Sequence, residues 1–273
     1  ENAIKIAKQA TKRDAVICYT DAFHGRTLMA MTLTSKIDYK LNCGPFAPEV
    51  YRLPFPNTYR YSNGLTEDEY VKQELKRLHE SGKNLVNPKN VAAIIIELVQ
   101  GEGGFTVAPQ AYIEGLRDFC DEHGIMLIFD EVQSGFARTG SWGAMDHYNV
   151  IPDLSTWAKS MGSGMPIATV IGKAEVMDAA APGTIGGTYI GNPVACAASL
   201  ATIQYIKDVK LNERGVEVGN IIRTRFEAMQ SKFPQIGDVK GLGAMMAIEF
   251  VKNGDPRQPD GDLCSKVVKG CAE

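Results

Sequence analysis

The chain has 273 residues and a formal net charge of −3 at pH 7, with 44% hydrophobic and 22% charged residues. This profile is typical of a globular protein, and its slight acidity, without a basic tract, gives no electrostatic case for binding nucleic acid or an anionic membrane. The longest apolar runs are far shorter than the roughly 20 residues that a membrane-spanning helix needs.

The cysteines and histidines show neither a disulfide framework nor a metal-site spacing. The six cysteines are scattered without a CxxC pair: Cys18, Cys43, Cys120, Cys196, Cys264 and Cys271. Free thiols suit a reducing compartment, so we expect the cytoplasm, with the mitochondrial matrix as the open alternative. His79, His123 and His147 are spaced for no metal site, and we assign none.

Short apolar runs alternate with amphipathic stretches through the first half of the chain. A helical pattern opens it, and the later patterns predict a strand over 15–20, an exposed helix over 67–81, a buried strand over 91–98, a helix over 108–124 and a second buried strand over 125–131. Strand, helix and strand in succession predict an α/β fold with a parallel or mostly parallel sheet.

The composition changes near residues 208–212. An alanine-rich and therefore closely packed helix is predicted over 192–208, an amphipathic helix over 212–233 and a strand over 243–250. We therefore predict a large domain over residues 1–208 and the start of a smaller domain over 209–273. Because the chain begins and ends inside helical patterns without an initiator Met, we expect an internal fragment whose large domain lacks its N-terminal part and whose smaller domain is truncated.

Carboxylates end the two buried strands. Glu97 follows the first strand, and Asp130 and Glu131 end the second, at the edge where parallel sheets bind ligands. Taken alone, Asp130 is more simply a helix cap or a solvated loop residue. The alternative is a semi-buried carboxylate that pairs with a protonated pyridine nitrogen.

A lysine, Lys159, stands in the glycine-broken run TWAKSMGSGMP. A lone lysine is more often a surface residue, but Gly162 and Gly164 would let the backbone approach a ligand closely. A lysine that forms a Schiff base needs a partly desolvated pocket. An aspartate for a ring nitrogen and a lysine for an aldehyde are the two protein groups that pyridoxal phosphate most requires.

Five ordered motifs carry a family resemblance. They are AFHGRT (22–27), ELVQGEGGF (97–105), FDEVQSGFARTG (129–140), PDLSTWAKSMGSGMPIA (152–168) and GGTYIGNPVAC (186–196). Together they resemble the class III aminotransferases, which are pyridoxal-phosphate enzymes of fold type I. The resemblance implies a large domain with a mostly parallel sheet flanked by helices, followed here by part of a C-terminal α+β domain.

The resemblance also implies roles around the cofactor ring. Lys159 would form the Schiff base with the cofactor aldehyde and later move the proton, and Asp130 would hold the ring nitrogen. Val132 and Phe23 would pack on the two ring faces, and Gln133 would bond the ring hydroxyl.

Further roles concern the substrate, the phosphate and the subunit arrangement. Arg26 would bind a substrate carboxylate, Glu97 would lie near the cofactor and Arg26, and Glu102 would gate an arginine from a C-terminal region outside this chain. Thr188 would contact the phosphate of a neighbouring subunit, which implies a homodimer or a dimer of dimers. His24 would make a structural hydrogen bond behind the ring, with a catalytic base as the lesser alternative.

The activity that the resemblance implies is a ping-pong transamination. An ω-amino acid, with 4-aminobutyrate first, would give its amino group to 2-oxoglutarate. Acetylornithine, ornithine or another ω-amine is the alternative donor, and an inactive cofactor-binding or interaction fragment is the alternative of another class.

Overall fold

The computed structural model of the protein describes residues 1–272. Its helices are α1 Asn2–Thr11, α2 Leu28–Leu33, α3 Thr58–Tyr61, α4 Glu67–Asn84, α5 Gln110–His123, α6 Ala174–Met177, α7 Pro193–Asp208, α8 Leu211–Gln230 and α9 Gly261–Ala272. Its strands are β1 Ala15–Tyr19, β2 Val50–Leu53, β3 Val91–Ile96, β4 Met126–Asp130, β5 Leu154–Trp157, β6 Thr169–Gly172, β7 Ile236–Leu242 and β8 Met245–Phe250. Short 3-10 helices lie at Ile37–Tyr39, Pro88–Asn90, Ala144–His147 and Lys159–Gly162. None of the helices within residues 1–272 combines the length and the apolarity that a membrane span requires.

Six strands form the central sheet in the order β2-β1-β3-β4-β5-β6. The first five run parallel, and β6 is antiparallel to β5 at one edge. β1 and β3 are buried along their whole length, because a sheet covered on both faces favours continuous apolar strands over alternating ones. The predicted α/β class with a mostly parallel sheet is confirmed.

Different helices cover the two faces of the sheet. On one face, Leu78 of α4 and Leu116 of α5 share an apolar cluster with Ile94 of β3. On the other face, Ile4 of α1 shares a second cluster with Ile95 of the same strand. Ile94 and Ile95 belong to different clusters because successive side chains of a strand point to opposite faces.

The observed elements begin and end within a few residues of their predicted limits. α4 begins at a capping box in which Thr66 and Glu69 exchange hydrogen bonds. α5 ends at Gly124, whose left-handed conformation (φ 62°) is common at helix C-termini. The predictions did not include β2, β5, β6 and β7. The first three are strands of four residues, too short to show a clear period, and β7, with the sequence IGDVKGL, has glycines at two of its seven positions.

The close packing expected for α7 is not what the structure shows. Only Ala195, Ser199 and Ile206 of this helix are buried, whereas Leu200 and Tyr205 are 69% and 61% exposed. Alanine favours the helical conformation in itself, so an alanine-rich helix need not be enclosed. Within residues 1–272, no element covers this apolar face.

The chain after α7 has a different architecture. β7 and β8 form a separate two-stranded antiparallel sheet. Glu249 of β8 forms ion pairs with Arg60 of α3 and with Lys240 of β7, and Lys240 also donates to Thr106 Oγ1 at 3.2 Å. These contacts connect the β7–β8 hairpin to α3 and to the loop between β3 and α5. The division into domains at residue 208 stays a prediction.

Candidate active site

Asp130 lies at the carboxyl end of β4 with its carboxylate held from three directions. His24 Nδ1 lies 2.7 Å from Oδ2, while the Thr156 hydroxyl and the Val132 backbone N–H donate to Oδ1 at 3.0 and 3.1 Å. The Thr156 hydroxyl reaches this carboxylate because the pairing of β4 with β5 places Thr156 opposite Asp130. Asp130 is only 7% exposed, so the surrounding fold sets the orientation of its carboxylate.

His24 stands behind this carboxylate. Its side chain is 1% exposed, and its backbone N–H donates to Thr34 Oγ1 at 3.0 Å. The same hydroxyl donates to the Gly25 carbonyl at 3.1 Å, which fixes the loop that carries His24. The other ring nitrogen, Nε2, is buried and has no hydrogen-bond partner among residues 1–272. This placement favours support of Asp130 over a catalytic base.

Glu131, next in the chain, points away from the site. Its carboxylate accepts the Ser134 hydroxyl and the backbone N–H groups of Ala144 and Met145, the last two at 2.9 and 2.7 Å. Burial raises the pKa of Glu131. Two adjacent strand-end carboxylates therefore serve different purposes, since one faces the cavity and the other holds a 3-10 helix.

Glu97 joins two loops of the site. Its carboxylate accepts the backbone N–H of Phe23 at 2.9 Å and that of Gly101 at 3.1 Å. Burial raises the pKa of Glu97 to about 7; the charge of His24 opposes this rise and that of Asp130 adds to it. The loop with Phe23 and the loop with Glu102 are thus tied to one buried group.

Lys159 follows β5 and begins a 3-10 helix. It is exposed, so the partly desolvated surroundings expected for a Schiff-base lysine are not present in this chain. Its Nζ donates to Gln133 Oε1 at 3.4 Å, and its backbone has a left-handed φ of 48°, a conformation that is uncommon for a residue other than glycine. Gln133 packs against Gly101, where a Cβ would lie 1.8 Å from Gln133 Oε1. Lys159 and Gln133, far apart in sequence, are therefore in contact.

Arg26, Tyr39 and Glu102 form a cluster on the exposed side of the site. The Arg26 guanidinium lies 4.1 Å from the centre of the Tyr39 ring and 5.9 Å from that of Phe23. The Tyr39 hydroxyl donates to Glu102 Oε2 at 2.8 Å. The sequence interpretation missed Tyr39 and Thr156. Only the pairing of β5 with β4 could have indicated Thr156, and no sequence signal marked Tyr39.

A cavity of about 720 Å³ opens beside Asp130. Its lining includes His24, Asp130, Val132, Thr156, Thr188 and the first turn of α1. Thr188 is exposed and faces this cavity in the same chain, so its contact with a neighbouring subunit stays a prediction. The lining does not include the other predicted site residues, Phe23, Arg26, Glu97, Glu102, Gln133 and Lys159. Residues 1–272 hold no group of three or more His, Cys, Asp or Glu side chains suited to a metal ion.

Comparison with known proteins decides the family. The family model described as Aminotransferase class-III matches residues 1–269. The chain belongs to the class III aminotransferases. The family predicted from the five motifs is thereby confirmed.

Curated aminotransferases resemble the chain over nearly its whole length. A probable 4-aminobutyrate aminotransferase of Bacillus subtilis (strain 168) is 48% identical over 261 residues, which are 95% of the chain and 60% of that relative. The 5-aminovalerate aminotransferase DavT of Pseudomonas aeruginosa is 46% identical over 269 residues, which are 98% of the chain and 62% of that relative. The chain thus spans 60–62% of the length of these curated relatives.

A solved amine transaminase structure shares the fold. The PLP-bound amine transaminase from an uncultivated Pseudomonas species superposes with a TM-score of 0.90 at 28% identity, covering 97% of the chain and 63% of that structure.

Proposed function

We propose that the chain is the cofactor-binding core of a pyridoxal-phosphate-dependent transaminase that moves the amino group of an ω-amino acid, first 4-aminobutyrate, to 2-oxoglutarate. One observation carries the proposal. Lys159 Nζ meets Gln133 Oε1 at 3.4 Å, beside the strand end at which three donors hold the Asp130 carboxylate.

The donor set suits pyridoxal phosphate. The aldehyde and the hydroxyl of its ring stand on adjacent carbons, so the groups that would meet them, Lys159 and Gln133, should be in contact, as they are. A buried carboxylate that borders the cavity suits the ring nitrogen. The PLP-bound relative and the names of the curated relatives support the same cofactor and the same type of substrate.

Each site residue then has a task. Pyridoxal phosphate, when bound, supplies an electron sink for negative charge on the substrate carbon. Asp130 would keep a proton on the ring nitrogen, and His24 and Thr156 hold the Asp130 carboxylate in place. Val132 and Phe23 would hold the ring between them. Lys159 would hold the cofactor aldehyde, and its Nζ would accept the proton from the carbon that carries the amino group.

The substrate carboxylate would bind at the exposed side of the site. The planar guanidinium of Arg26 can take a carboxylate through two hydrogen bonds. Glu102, close to it through Tyr39, would adjust the charge that the second carboxylate of a keto acid meets. The Glu97 carboxylate accepts backbone N–H groups from the loop that carries Arg26 and from the loop that carries Glu102, and so holds both loops.

The proposal is tested with Lys159→Ala. We expect this variant to lose the visible absorbance that pyridoxal phosphate acquires on covalent attachment, and to lose transamination by at least about 10²-fold. The control is Lys89→Ala, at an exposed position in a 3-10 helix, which should keep both. An unchanged cofactor spectrum in Lys159→Ala would remove this lysine from the proposed role.

The choice of donor has a specific rival. The relative named 5-aminovalerate aminotransferase is almost as similar as the one named for 4-aminobutyrate, and their substrates differ by one methylene group. One methylene changes discrimination by roughly 10- to 200-fold. A panel of 4-aminobutyrate, 5-aminovalerate, ornithine and acetylornithine, scored by kcat/KM, separates these donors, and no turnover with any of them would favour the inactive fragment.

Three further statements belong to the proposal. Thr188 supports a homodimer or a dimer of dimers with the site near the interface. The scattered thiols favour the cytoplasm. The change of architecture after α7 supports a large cofactor-binding domain over residues 1–208 and the start of a smaller domain from residue 209.

A further inference from the structure

Tyr39 contacts three charged side chains on the exposed side of the site, namely Glu102, Arg26 and Lys36, whose Nζ lies 4.7 Å from the centre of the Tyr39 ring. Its hydroxyl donates to Glu102 Oε2 at 2.8 Å, and its ring face carries the Arg26 guanidinium at 4.1 Å. The Phe23 ring meets the Tyr39 ring edge-on, with 5.4 Å between the centroids. Tyr39 therefore contacts the proposed cofactor-stacking residue, the proposed carboxylate-binding residue and the proposed gate.

Hydrogen bonds attach the segment that carries Tyr39 to the loop that carries His24 and Arg26. Tyr39 ends the 3-10 helix Ile37–Tyr39, and the next residue, Lys40, donates from Nζ to the Thr34 carbonyl at 2.9 Å. The Thr34 hydroxyl in turn bonds the backbone of His24 and Gly25. These short connections hold the tyrosine ring against the loop that carries Arg26.

Arg26 and Glu102 do not form an ion pair with each other. Within residues 1–272, Arg26 forms no salt bridge, and its guanidinium lies over aromatic rings instead. Glu102 is exposed and accepts its side-chain hydrogen bond from Tyr39. Neither Arg26 nor Lys36 forms a salt bridge with Glu102 within residues 1–272, although flexible opposite charges on one tyrosine would be expected to pair unless another contact holds one of them.

From these contacts we infer that Tyr39 is a positioning residue that prevents Glu102 from neutralising Arg26. The inference rests on the proposed function, because it gives Arg26 the substrate carboxylate as its ligand. The phenol hydroxyl holds the Glu102 carboxylate at the edge of the ring, and the ring face orients the guanidinium by a cation–π contact. Arg26 thus keeps its paired N–H donors for the carboxylate of a linear ω-amino acid.

The decisive variant is Tyr39→Phe, which removes the hydroxyl and keeps the ring under Arg26. Glu102, released, competes with the substrate carboxylate for the guanidinium. The probe is pentanoate, in which a methyl group replaces the amino group of 4-aminobutyrate, so that it cannot react. Titrated into protein incubated with pyridoxal phosphate, pentanoate should bind Tyr39→Phe roughly tenfold more weakly than the wild type, the size expected for loss of a charge-assisted hydrogen bond.

A second variant separates this effect from simple loss of structure. Tyr39→Phe/Glu102→Gln removes both the hydroxyl and the competing charge, and pentanoate binding should return to within about threefold of the wild type. The matched control is Tyr51→Phe, which deletes a similar hydrogen bond from Tyr51 to Glu49 (2.9 Å) in β2 and should leave pentanoate binding unchanged. Unaltered binding in Tyr39→Phe, or a double variant as weak as the single one, would overturn the inference.

The pentanoate titration tests the role of Tyr39, and the transamination assay tests the proposed function, so either claim can be contradicted without the other. If the wild type does not transaminate but pentanoate binding follows the pattern above, the proposed function fails and the role of Tyr39 stands. If the wild type transaminates and pentanoate binding does not follow the pattern, only the role of Tyr39 fails. Where turnover is measurable, Tyr39→Phe should raise KM for the ω-amino acid with little change in kcat. A wild type that binds no pentanoate contradicts the assignment of Arg26 and the inference with it.

Discussion

At the residue scale, Glu97 shows how burial couples the site to pH. Its carboxyl is enclosed and its pKa rises to about 7 from an ordinary value of 4.5. Between these two values the folded protein binds more protons than the unfolded one, so the free energy of unfolding falls as the pH rises through this window. The full loss is about 3 kcal/mol.

Glu97→Gln tests this coupling, because the amide is uncharged throughout. We expect the free energy of unfolding of the wild type, minus that of the variant, to be about 2–3 kcal/mol larger at pH 5 than at pH 8. Urea denaturation at both pH values measures it. If the difference in free energy of unfolding between wild type and Glu97→Gln is the same at pH 5 and pH 8, Glu97 is already ionised at pH 5.

Asp130 and Glu131 show what the pattern of residues leaves undecided at this scale. Both end the same predicted strand, and only the structure shows that Asp130 borders the cavity while Glu131 accepts backbone N–H groups of a 3-10 helix. Successive side chains of a strand point to opposite faces, so one of the two had to turn away. Which one did so depends on how the following loop folds.

At the element scale, α8 approaches the β7–β8 hairpin through a glycine. A Cβ at Gly219 would lie 2.0 Å from the Gly243 carbonyl oxygen, and backbone atoms cannot yield as a flexible side chain can. α9 also contains a helical glycine, Gly270, but a Cβ there meets nothing within 4 Å. The two positions form a matched pair.

Gly219→Ala should lower the free energy of unfolding by about 1–3 kcal/mol, because α8 and the hairpin must separate to admit the methyl group. Gly270→Ala should leave it unchanged or raise it by up to about 1 kcal/mol, because alanine is the better helix former. Urea denaturation of both variants supplies the comparison. Equal effects would show that the close approach is not a constraint.

The parallel sheet itself is the element that assembles the site. β3, β4 and β5 are neighbours, so their carboxyl ends bring Glu97, Asp130 and Lys159 to one edge. The loop that carries His24 follows β1, the neighbour of β3 on its other side. Residues distributed over about half of the chain therefore meet because of strand order.

At the scale of the whole molecule, an exposed apolar surface on α7 and on the segment before it bears on how copies of the protein assemble. Tyr189 is 86% exposed, and Leu200 lies uncovered on the helix. Large exposed apolar patches mark interaction surfaces, and the proposed phosphate contact of Thr188 lies in the same region of the chain. We expect two copies of the protein to associate through this face.

Leu200→Glu should shift the protein from dimer toward monomer, because it places a charge in the contact. Sedimentation velocity at several concentrations measures the shift. Ile151→Glu, at a similarly exposed apolar position before β5, is the control and should sediment as the wild type does. A wild type that is monomeric at all concentrations would contradict the proposed dimer.

The sequence by itself determined the long elements, the fold class and the family. Periodicity over α4 and α5 and the continuous apolar runs of β3 and β4 were sufficient for the fold, and five ordered motifs were sufficient for the family, because both are local signals. Lys159 and Asp130 were first paired by what pyridoxal phosphate requires of a protein, and the motifs that contain them then implied their roles.

The tertiary structure alone decided which side chains meet. Thr156 reaches Asp130 through strand pairing, Tyr39 reaches Arg26 and Glu102 through the path of a loop, and Gln133 meets Lys159 over Gly101. It also decided that α7 is exposed, which its alanine content did not indicate. The physical reason is the same in each case: a contact between residues distant in the chain depends on how separate elements pack, and no local pattern encodes that geometry.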